Sequence, residues 1–220
     1  MKNETVHEAI RSVADTVNDI CDMDLWSFLK KKMMEHPDQI VCENHMSMTY
    51  KKLCALAESY ARNLNSGYYG VLCKSEISAT MFLLACIAAK KNVIPFPFKY
   101  GKEIYVKIWD KSEPPYILTD FDERLSVLAV PSIAENDPPA PPALVVLFDE
   151  ADKGCCAERL LNEADLFSEV RKRCVDFVGE TKDGIVISKP LCHFSTLVEE
   201  LLVSLCQGVP IVFSFDSHVR

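Results

Sequence analysis

Glycine is scarce in this sequence, with seven residues in a chain of 220, about half the share usual for a globular protein. No G-x-G pattern occurs anywhere in the chain. Dinucleotide-binding folds need such glycines for a tight turn and for the close approach of the backbone to a pyrophosphate. The sequence therefore gives no indication of a dinucleotide cofactor.

The C-x-x-C pattern is also missing, although the chain contains ten cysteines. They are spread evenly through apolar segments, and the one adjacent pair, Cys155 and Cys156, cannot supply two ligands to a tetrahedral metal without strain. We therefore predict ten reduced thiols and no metal site. Because disulfides are rare in the cytosol, this pattern predicts a cytoplasmic protein.

Long apolar runs and an excess of positive charge are absent as well. No segment approaches the ~20 consecutive apolar residues that a bilayer-spanning helix needs, and the polar N-terminus lacks the apolar core of a secretion signal. The 24 Lys and Arg residues stand against 32 Asp and Glu residues, which gives a net charge of −8. Such a chain has no overall attraction for phosphate backbones or anionic lipid. We predict no nucleic-acid partner and no membrane association.

Helical and strand patterns alternate along most of the chain. The predicted helices are 3–20, 25–35, 50–65, 76–89, 102–110, 158–177 and 195–207. The predicted strands are 39–43, 46–48, 68–73, 92–96, 116–119, 125–130, 143–148, 184–188 and 209–215. Thr49 and Ser75 stand where a side chain can cap the following helix. This order predicts an α/β fold, a mostly parallel β-sheet with helices on both faces.

A proline-rich stretch divides this alternation in two. Five prolines fall within thirteen residues at 131–143, and such a stretch can join neither a helix nor an inner strand. The sequence therefore predicts a first α/β unit with N-terminal helices at 1–130, an exposed connector at 131–142 and a second α/β unit at 143–220. Because the chain ends directly after a strand with no closing helix, we expect the second unit to be truncated and the chain to be a fragment.

Six short segments follow one another in an order known from one protein family. They stand at 35–40, 48–53, 85–95, 117–120, 189–194 and 206–212. They are similar to the patterns E-x-P-D-x-x-A, L-T-Y-x-E-L, A-I-L-K-A-G-A-V-Y-V-P, V-L-L-T-D, P-L-F-H and L-x-x-G-A-x-V-V. Their order resembles the N-terminal part of the adenylate-forming (AMP-binding) ligases, which include acyl-CoA synthetases and the adenylation domains of nonribosomal peptide synthetases. The resemblance implies the fold of that family's N-terminal subdomain, ATP with Mg²⁺ as cofactor, and activation of a carboxylate.

One segment departs from the family pattern where relatives grip the ATP phosphates. The family loop reads T-S-G-T-T-G-x-P-K-G, whereas this chain has D-E-A-D-K-G-C-C-A-E at 149–158. Carboxylates replace hydroxyls, each close carboxylate–phosphate pair costs about a kcal/mol or more, and most glycines that allow close backbone approach are lost. The degenerate phosphate-loop positions are Asp149, Glu150, Asp152, Lys153 and Gly154. We predict that they do not hold ATP as relatives do and that this chain takes no cofactor.

His193 is the one histidine within a family-like motif. The resemblance places it where relatives have a histidine or an aromatic residue that lines the acyl pocket, which implies a substrate-binding role. A capping or surface histidine at a helix start accounts for the same pattern, and both interpretations stay open. The chain ends before the family's adenine-contacting loop, ribose-binding aspartate and C-terminal catalytic lysine, so no catalytic residue is assigned.

Two functions follow from the sequence. The first is the N-terminal portion of an AMP-dependent synthetase or ligase that is unable to catalyse by itself. The second is a non-catalytic adenylation-domain relative that acts as a binding or assembly partner. The resemblance implies a missing C-terminal subdomain and, as acyl acceptor, CoA or a carrier protein. Because the helix at 195–207 and its neighbouring strands are apolar on nearly every side, we also expect self-association through the C-terminal half.

Overall fold

The computed structural model describes residues 23–64, 67–98, 106, 108–109, 112–121, 126–129, 144–151, 155–177 and 184–214, with 148–151 and 155–157 as backbone alone. Within these ranges the helices are α1 (Leu25–Glu35), α2 (Tyr50–Ala61), α3 (Glu76–Ala88), α4 (Glu163–Asp176) and α5, whose π-helical part Ser195–Leu202 continues into an α-helical part Val203–Gln207. The strands are β1 (Ile40–Glu43), β2 (Met46–Thr49), β3 (Tyr68–Val71), β4 (Asn92–Pro95), β5 (Tyr116–Thr119), β6 (Ser126–Ala129), β7 (Val145–Ala151), β8 (Cys155–Leu161), β9 (Ile185–Ile187) and β10 (Ile211–Phe213).

The strands form two sheets rather than one, with the orders β2-β1-β10-β9 and β6-β5-β3-β4-β7-β8. Most neighbouring strands are parallel, and the antiparallel strands β2, β6 and β8 lie at sheet edges. The predicted α/β class with mostly parallel pairing is confirmed. Each sheet joins segments from before and after the connector, because Val41 pairs with Ile211 and Val93 pairs with Val145. The connector itself lies outside the described residues, and the boundaries 1–130, 131–142 and 143–220 stay a prediction.

Helix α3 lies between the two sheets. It contacts β1 of the four-stranded sheet and β3, β4 and β5 of the six-stranded sheet. Because both sides are covered, 11 of its 13 residues are buried, and its sequence is accordingly apolar all round. As the sequence predicted, Thr49 and Ser75 cap α2 and α3 by accepting hydrogen bonds from the N–H groups of Lys52 and Ser78.

The segment after the connector differs from the prediction. The helix predicted at 158–177 begins only at Glu163, and the residues before it form β8, which pairs antiparallel with β7. Asn162 caps α4, because its side-chain oxygen accepts the N–H of Asp165 at 2.8 Å. A capped start at 162 prevents the helix from extending backwards, and backbone pairing with β7 holds 155–161 as a strand despite its helix-compatible composition.

The apolar helix predicted at 195–207 is present as α5, but its surface is not exposed. Leu197, Leu201 and Leu205 are each 0% exposed, and Phe213 of β10 is 2% exposed. Helix α5 packs against α1, α4 and β9, so its all-round apolar character is accounted for within the chain. We expected self-association because we expected these side chains to be exposed. They are buried, so they do not provide a surface for it.

The helix predicted at 3–20 lies outside the described residues, as does most of the one at 102–110. Among the helices that the structure describes, none combines the length and apolar character required to cross a bilayer.

Candidate functional site

The first candidate element is the hairpin β7–β8, which occupies most of the segment predicted as a phosphate loop. Its backbone pairs Asp149 with Ala157, Glu150 with Cys156 and Ala151 with Cys155. Only three residues, 152–154, connect the two strands, and they lie outside the described residues. Asp152, Lys153 and Gly154 are therefore not placed, whereas Asp149 and Glu150 belong to the end of β7.

The extended backbone of this hairpin differs in its N–H directions from a phosphate-binding loop. A phosphate-binding loop works because successive backbone N–H groups converge on one point. In an antiparallel hairpin, successive N–H groups point alternately toward and away from the partner strand. The paired residues 149–151 and 155–157 thus cannot direct consecutive N–H groups at one phosphate.

His193 lies in the turn directly before α5. Its backbone N–H donates to the carbonyl of Pro190 at 3.1 Å, and its carbonyl accepts the N–H of Leu197 at 2.9 Å. Leu191 and Cys192, which precede it, are 4% and 1% exposed. The buried turn and the helix start thus fix the histidine backbone from both sides, while the imidazole is half-buried.

A cation–π contact brings the hairpin and the histidine turn together. The guanidinium carbon of Arg159 on β8 lies 3.4 Å from the centroid of the Phe194 ring, a contact worth about 0.5–1 kcal/mol at an exposed site. Phe194 directly follows His193 and is 7% exposed. Sequence reasoning missed Arg159 because it placed this residue in a helix. The available signal was Asn162, a residue type that often caps a helix and that predicts a helix start at Glu163.

The helix that follows His193 starts with unusual geometry. Residues Ser195–Leu202 are π-helical, and the residue before them, Phe194, makes no side-chain capping hydrogen bond. The hydroxyl of Thr196 is buried without a hydrogen-bond partner among the described residues. π-Helical turns are rare and often occur at functional sites, so we include this helix start in the candidate site.

Acidic and basic side chains continue along α5. Glu199 pairs with Arg173 of α4 at 2.8 Å. Burial raises the pKa of Glu200, the neighbouring Glu199 adds to this rise, and Lys189 opposes it. No group of three or more His, Cys, Asp or Glu side chains in the described ranges is arranged to hold a metal ion.

We expect the substitution Glu200→Gln to stabilise the fold at neutral pH. Because burial raises the folded-state pKa above the unfolded value of 4.5, the unfolded state loses its proton first, and ionisation costs stability as the pH rises. Thermal unfolding should show a higher Tm for the variant at about pH 7 and little difference at about pH 3.5, where both states are protonated.

The matched control is Glu199→Gln, which removes the partner of Arg173 and should slightly lower Tm at about pH 7. A lower Tm for Glu200→Gln at that pH would show that the ionised carboxylate is stabilising and would contradict the expectation.

No protein-family model and no curated protein sequence matches this chain. Its structure, however, is similar to solved structures. The N-terminal subdomain of NpsA from Klebsiella oxytoca, in complex with 3-hydroxybenzoyl-AMSN, has 12% identity and a TM-score of 0.64 over 87% of this chain and 53% of that chain. The fatty acid AMP ligase from Legionella pneumophila has 15% identity and a TM-score of 0.65 over 87% of this chain and 39% of that chain.

A third similar structure is NpsA-ThdA, an artificially fused adenylation–PCP di-domain from Klebsiella oxytoca. It has 11% identity and a TM-score of 0.63 over 87% of this chain and 42% of that chain. The chain thus has the fold found in the N-terminal subdomains of adenylate-forming ligases, as the sequence resemblance implied. It spans between 39% and 53% of the length of these three chains.

Proposed function

We propose that this chain is the N-terminal portion of an AMP-dependent synthetase-like or ligase-like protein, and that it does not activate a carboxylate by itself. The observation that carries this proposal is the backbone pairing at the hairpin β7–β8. The segment that aligns with the family's phosphate loop is mostly extended strand, so its consecutive N–H groups diverge instead of converging on a phosphate.

Charge supports the same conclusion. The tip of the hairpin and its flanks contain three acidic residues, Asp149, Glu150 and Asp152, and one basic residue, Lys153. Three carboxylates against one lysine leave this segment net negative, and a net negative segment repels a triphosphate. ATP and Mg²⁺, which the resemblance implies as cofactors for the family, are accordingly not cofactors of this chain.

Titration with Mg-ATP tests the proposal. We expect no heat of binding in calorimetry and no change in Tm with ATP at about 1 mM. A specific site of Kd about 10 μM would stabilise the fold by about 2.7 kcal/mol under these conditions, because the ligand would be at a hundredfold excess over Kd. The NpsA N-terminal subdomain, which has the same fold, is titrated in parallel for comparison. A clear rise in Tm of this chain with Mg-ATP would refute the proposal.

The second candidate, a non-catalytic relative that acts as a binding or assembly partner, is favoured by the contact between Arg159 and Phe194. This contact holds the hairpin beside the turn that contains His193. We propose His193 as a substrate-binding residue in this arrangement, with a carboxylate or acyl group as the bound species. A carrier protein and a C-terminal subdomain of the family are the proposed partners, in the cytoplasm. The fused adenylation–PCP structure supports the carrier as a partner class.

Two measurements, ATP–pyrophosphate exchange and binding of a carrier protein, distinguish the two candidates. With this chain alone, exchange should be absent in both cases. Exchange that appears when a C-terminal subdomain of the family is added would favour the ligase portion. Binding of a carrier protein with no exchange under any condition would favour the assembly partner.

A further inference from the structure

Helices α1 and α4 pack side by side. At the start of the two helices, the N–H of Leu25 on α1 donates to a carboxylate oxygen of Glu163 on α4 at 3.4 Å. One turn further along both helices, the rings of Phe28 and Phe167 are in contact, with their centroids 5.2 Å apart. Because the second contact lies later in the chain on both helices, α1 and α4 run in the same direction.

The outward side chains of these helices combine positive charge with apolar surface. We name the surface made by five of them, all exposed or half-buried, the α1–α4 strip: Lys31, Phe167, Arg171, Lys172 and Val175. The guanidinium carbon of Arg171 lies 5.6 Å from the centroid of the Phe167 ring, and Val175 is 83% exposed. The later parts of the two helices, 30–35 and 169–176, contain six basic and three acidic residues. The strip is therefore basic in a chain whose net charge is −8.

The segment that precedes α1 has the complementary character. Five of its apolar residues follow one another at alternating intervals of four and three: Val6, Ile10, Val13, Val17 and Ile20. On a helix, this spacing gives a narrow apolar seam of the kind that packs against other helices. Residues 1–22 also contain five acidic and two basic side chains. An acidic helix with an apolar seam matches a surface that is basic and partly apolar.

We propose that residues 3–20 dock as a helix on the α1–α4 strip of the same chain. The segment is covalently attached at the start of α1, so its effective concentration at the strip is high. Its charge is opposite to that of the strip, which favours this surface over acidic ones. Its apolar seam covers Phe167 and Val175. Because an isolated helix of this length is marginal in water, contacts with the strip supply the stability that the segment lacks alone.

The point of attachment fixes the orientation of the docked helix. The segment ends directly before the N-cap residue of α1, so a helix that lies along the strip must turn back and run antiparallel to α1. Since both helices rise about 1.5 Å per residue, a helix whose Ile20 lies level with Leu25 has Val13 level with Lys32. Its N-terminal half then lies beside the basic later parts of α1 and α4.

Hydrogen exchange on the full chain tests this docking. The amides of residues 3–20 should exchange more slowly than those of the same sequence as a free peptide, because a docked helix must open before it exchanges. A carbodiimide, which joins carboxylates to nearby amines, should link acidic residues of this segment to Lys31, Lys32 or Lys172 within one chain. Exchange as fast as in the free peptide, or links found only between two chains, would overturn the proposal.

Two variants within the segment test the apolar seam. Val17→Asp places a carboxylate in the seam and should remove most of the protection from exchange. Asn18→Asp adds the same charge directly beside the seam and should leave the protection unchanged. Equal protection in both variants would show that the seam makes no contact.

Two double variants test the strip. Replacing Arg171 and Lys172 together with glutamate should lower the protection of residues 3–20 by about tenfold, because two attractive contacts become repulsive. The matched control replaces Lys51 and Lys52, two exposed cations of α2, with glutamate, and should leave the protection unchanged. Circular dichroism confirms that each variant is folded. The same loss in both double variants would trace the effect to net charge and would contradict docking at the strip.

Discussion

Replacing Leu201 with glutamate should abolish cooperative folding of the chain at room temperature. Leu201 is 0% exposed in α5 and belongs to the main hydrophobic core. Loss of the buried leucine alone costs about 2–5 kcal/mol, and an unpaired buried carboxylate adds several kcal/mol. The sum is comparable to the whole stability of a domain of this size, about 5–15 kcal/mol. Circular dichroism and urea denaturation measure the effect, and Leu201→Ala should give a folded protein of reduced stability.

Val186→Glu is the matched control for this experiment. Val186 lies on β9, at the edge of the four-stranded sheet, and is 60% exposed. The control should stay within about 0.5 kcal/mol of the wild type, because exposed substitutions away from special features have small effects. If Leu201→Glu were folded and as stable as the wild type, the side chain would lie at the surface. Light scattering on the wild type and on both variants would then test self-association through that helix.

Replacing Glu43 with alanine should lower the free energy of unfolding by about 3–6 kcal/mol, because it removes a buried carboxylate that accepts two hydrogen bonds, each worth about 1.5–3 kcal/mol. Glu43 is 2% exposed at the end of β1. One carboxylate oxygen accepts hydrogen bonds from the Ser75 hydroxyl and the Glu76 N–H, both at 2.8 Å. These donors lie at the N-terminus of α3, where the helix dipole also favours a negative charge. Urea denaturation measures the loss.

Glu43 connects the two sheets, which explains the size of the expected effect. It belongs to the four-stranded sheet, and α3 packs on the six-stranded sheet through its contacts with β3, β4 and β5. Glu43→Gln retains an acceptor and should lose about half as much stability as Glu43→Ala. Glu35→Ala, at an exposed carboxylate paired with Lys32, should cost less than about 1 kcal/mol. A loss at Glu43 as small as that at Glu35 would show that the carboxylate does not organise the start of α3.

The sequence determined the local elements of this protein. The hairpin of β1 and β2 follows from short apolar runs on either side of Asn44, which adopts a positive φ of 54° in the turn. Thr49 and Ser75 marked the starts of α2 and α3 because a side-chain cap depends only on residues three positions apart. The α/β class and the family-like order of segments are likewise readable along the chain, since each depends on short-range periodicity.

Only the tertiary structure decided which strands share a sheet. Pairing of Val41 with Ile211 joins residues that are far apart in sequence, and no local pattern specifies such a partner. Long-range pairing also made 155–161 a strand, where the charges alone were compatible with a helix. The inward position of Glu43 and the contact between Arg159 and Phe194 arise in the same way. In each case the partner that stabilises the residue is supplied by another element, so its role appears only when the chain is folded.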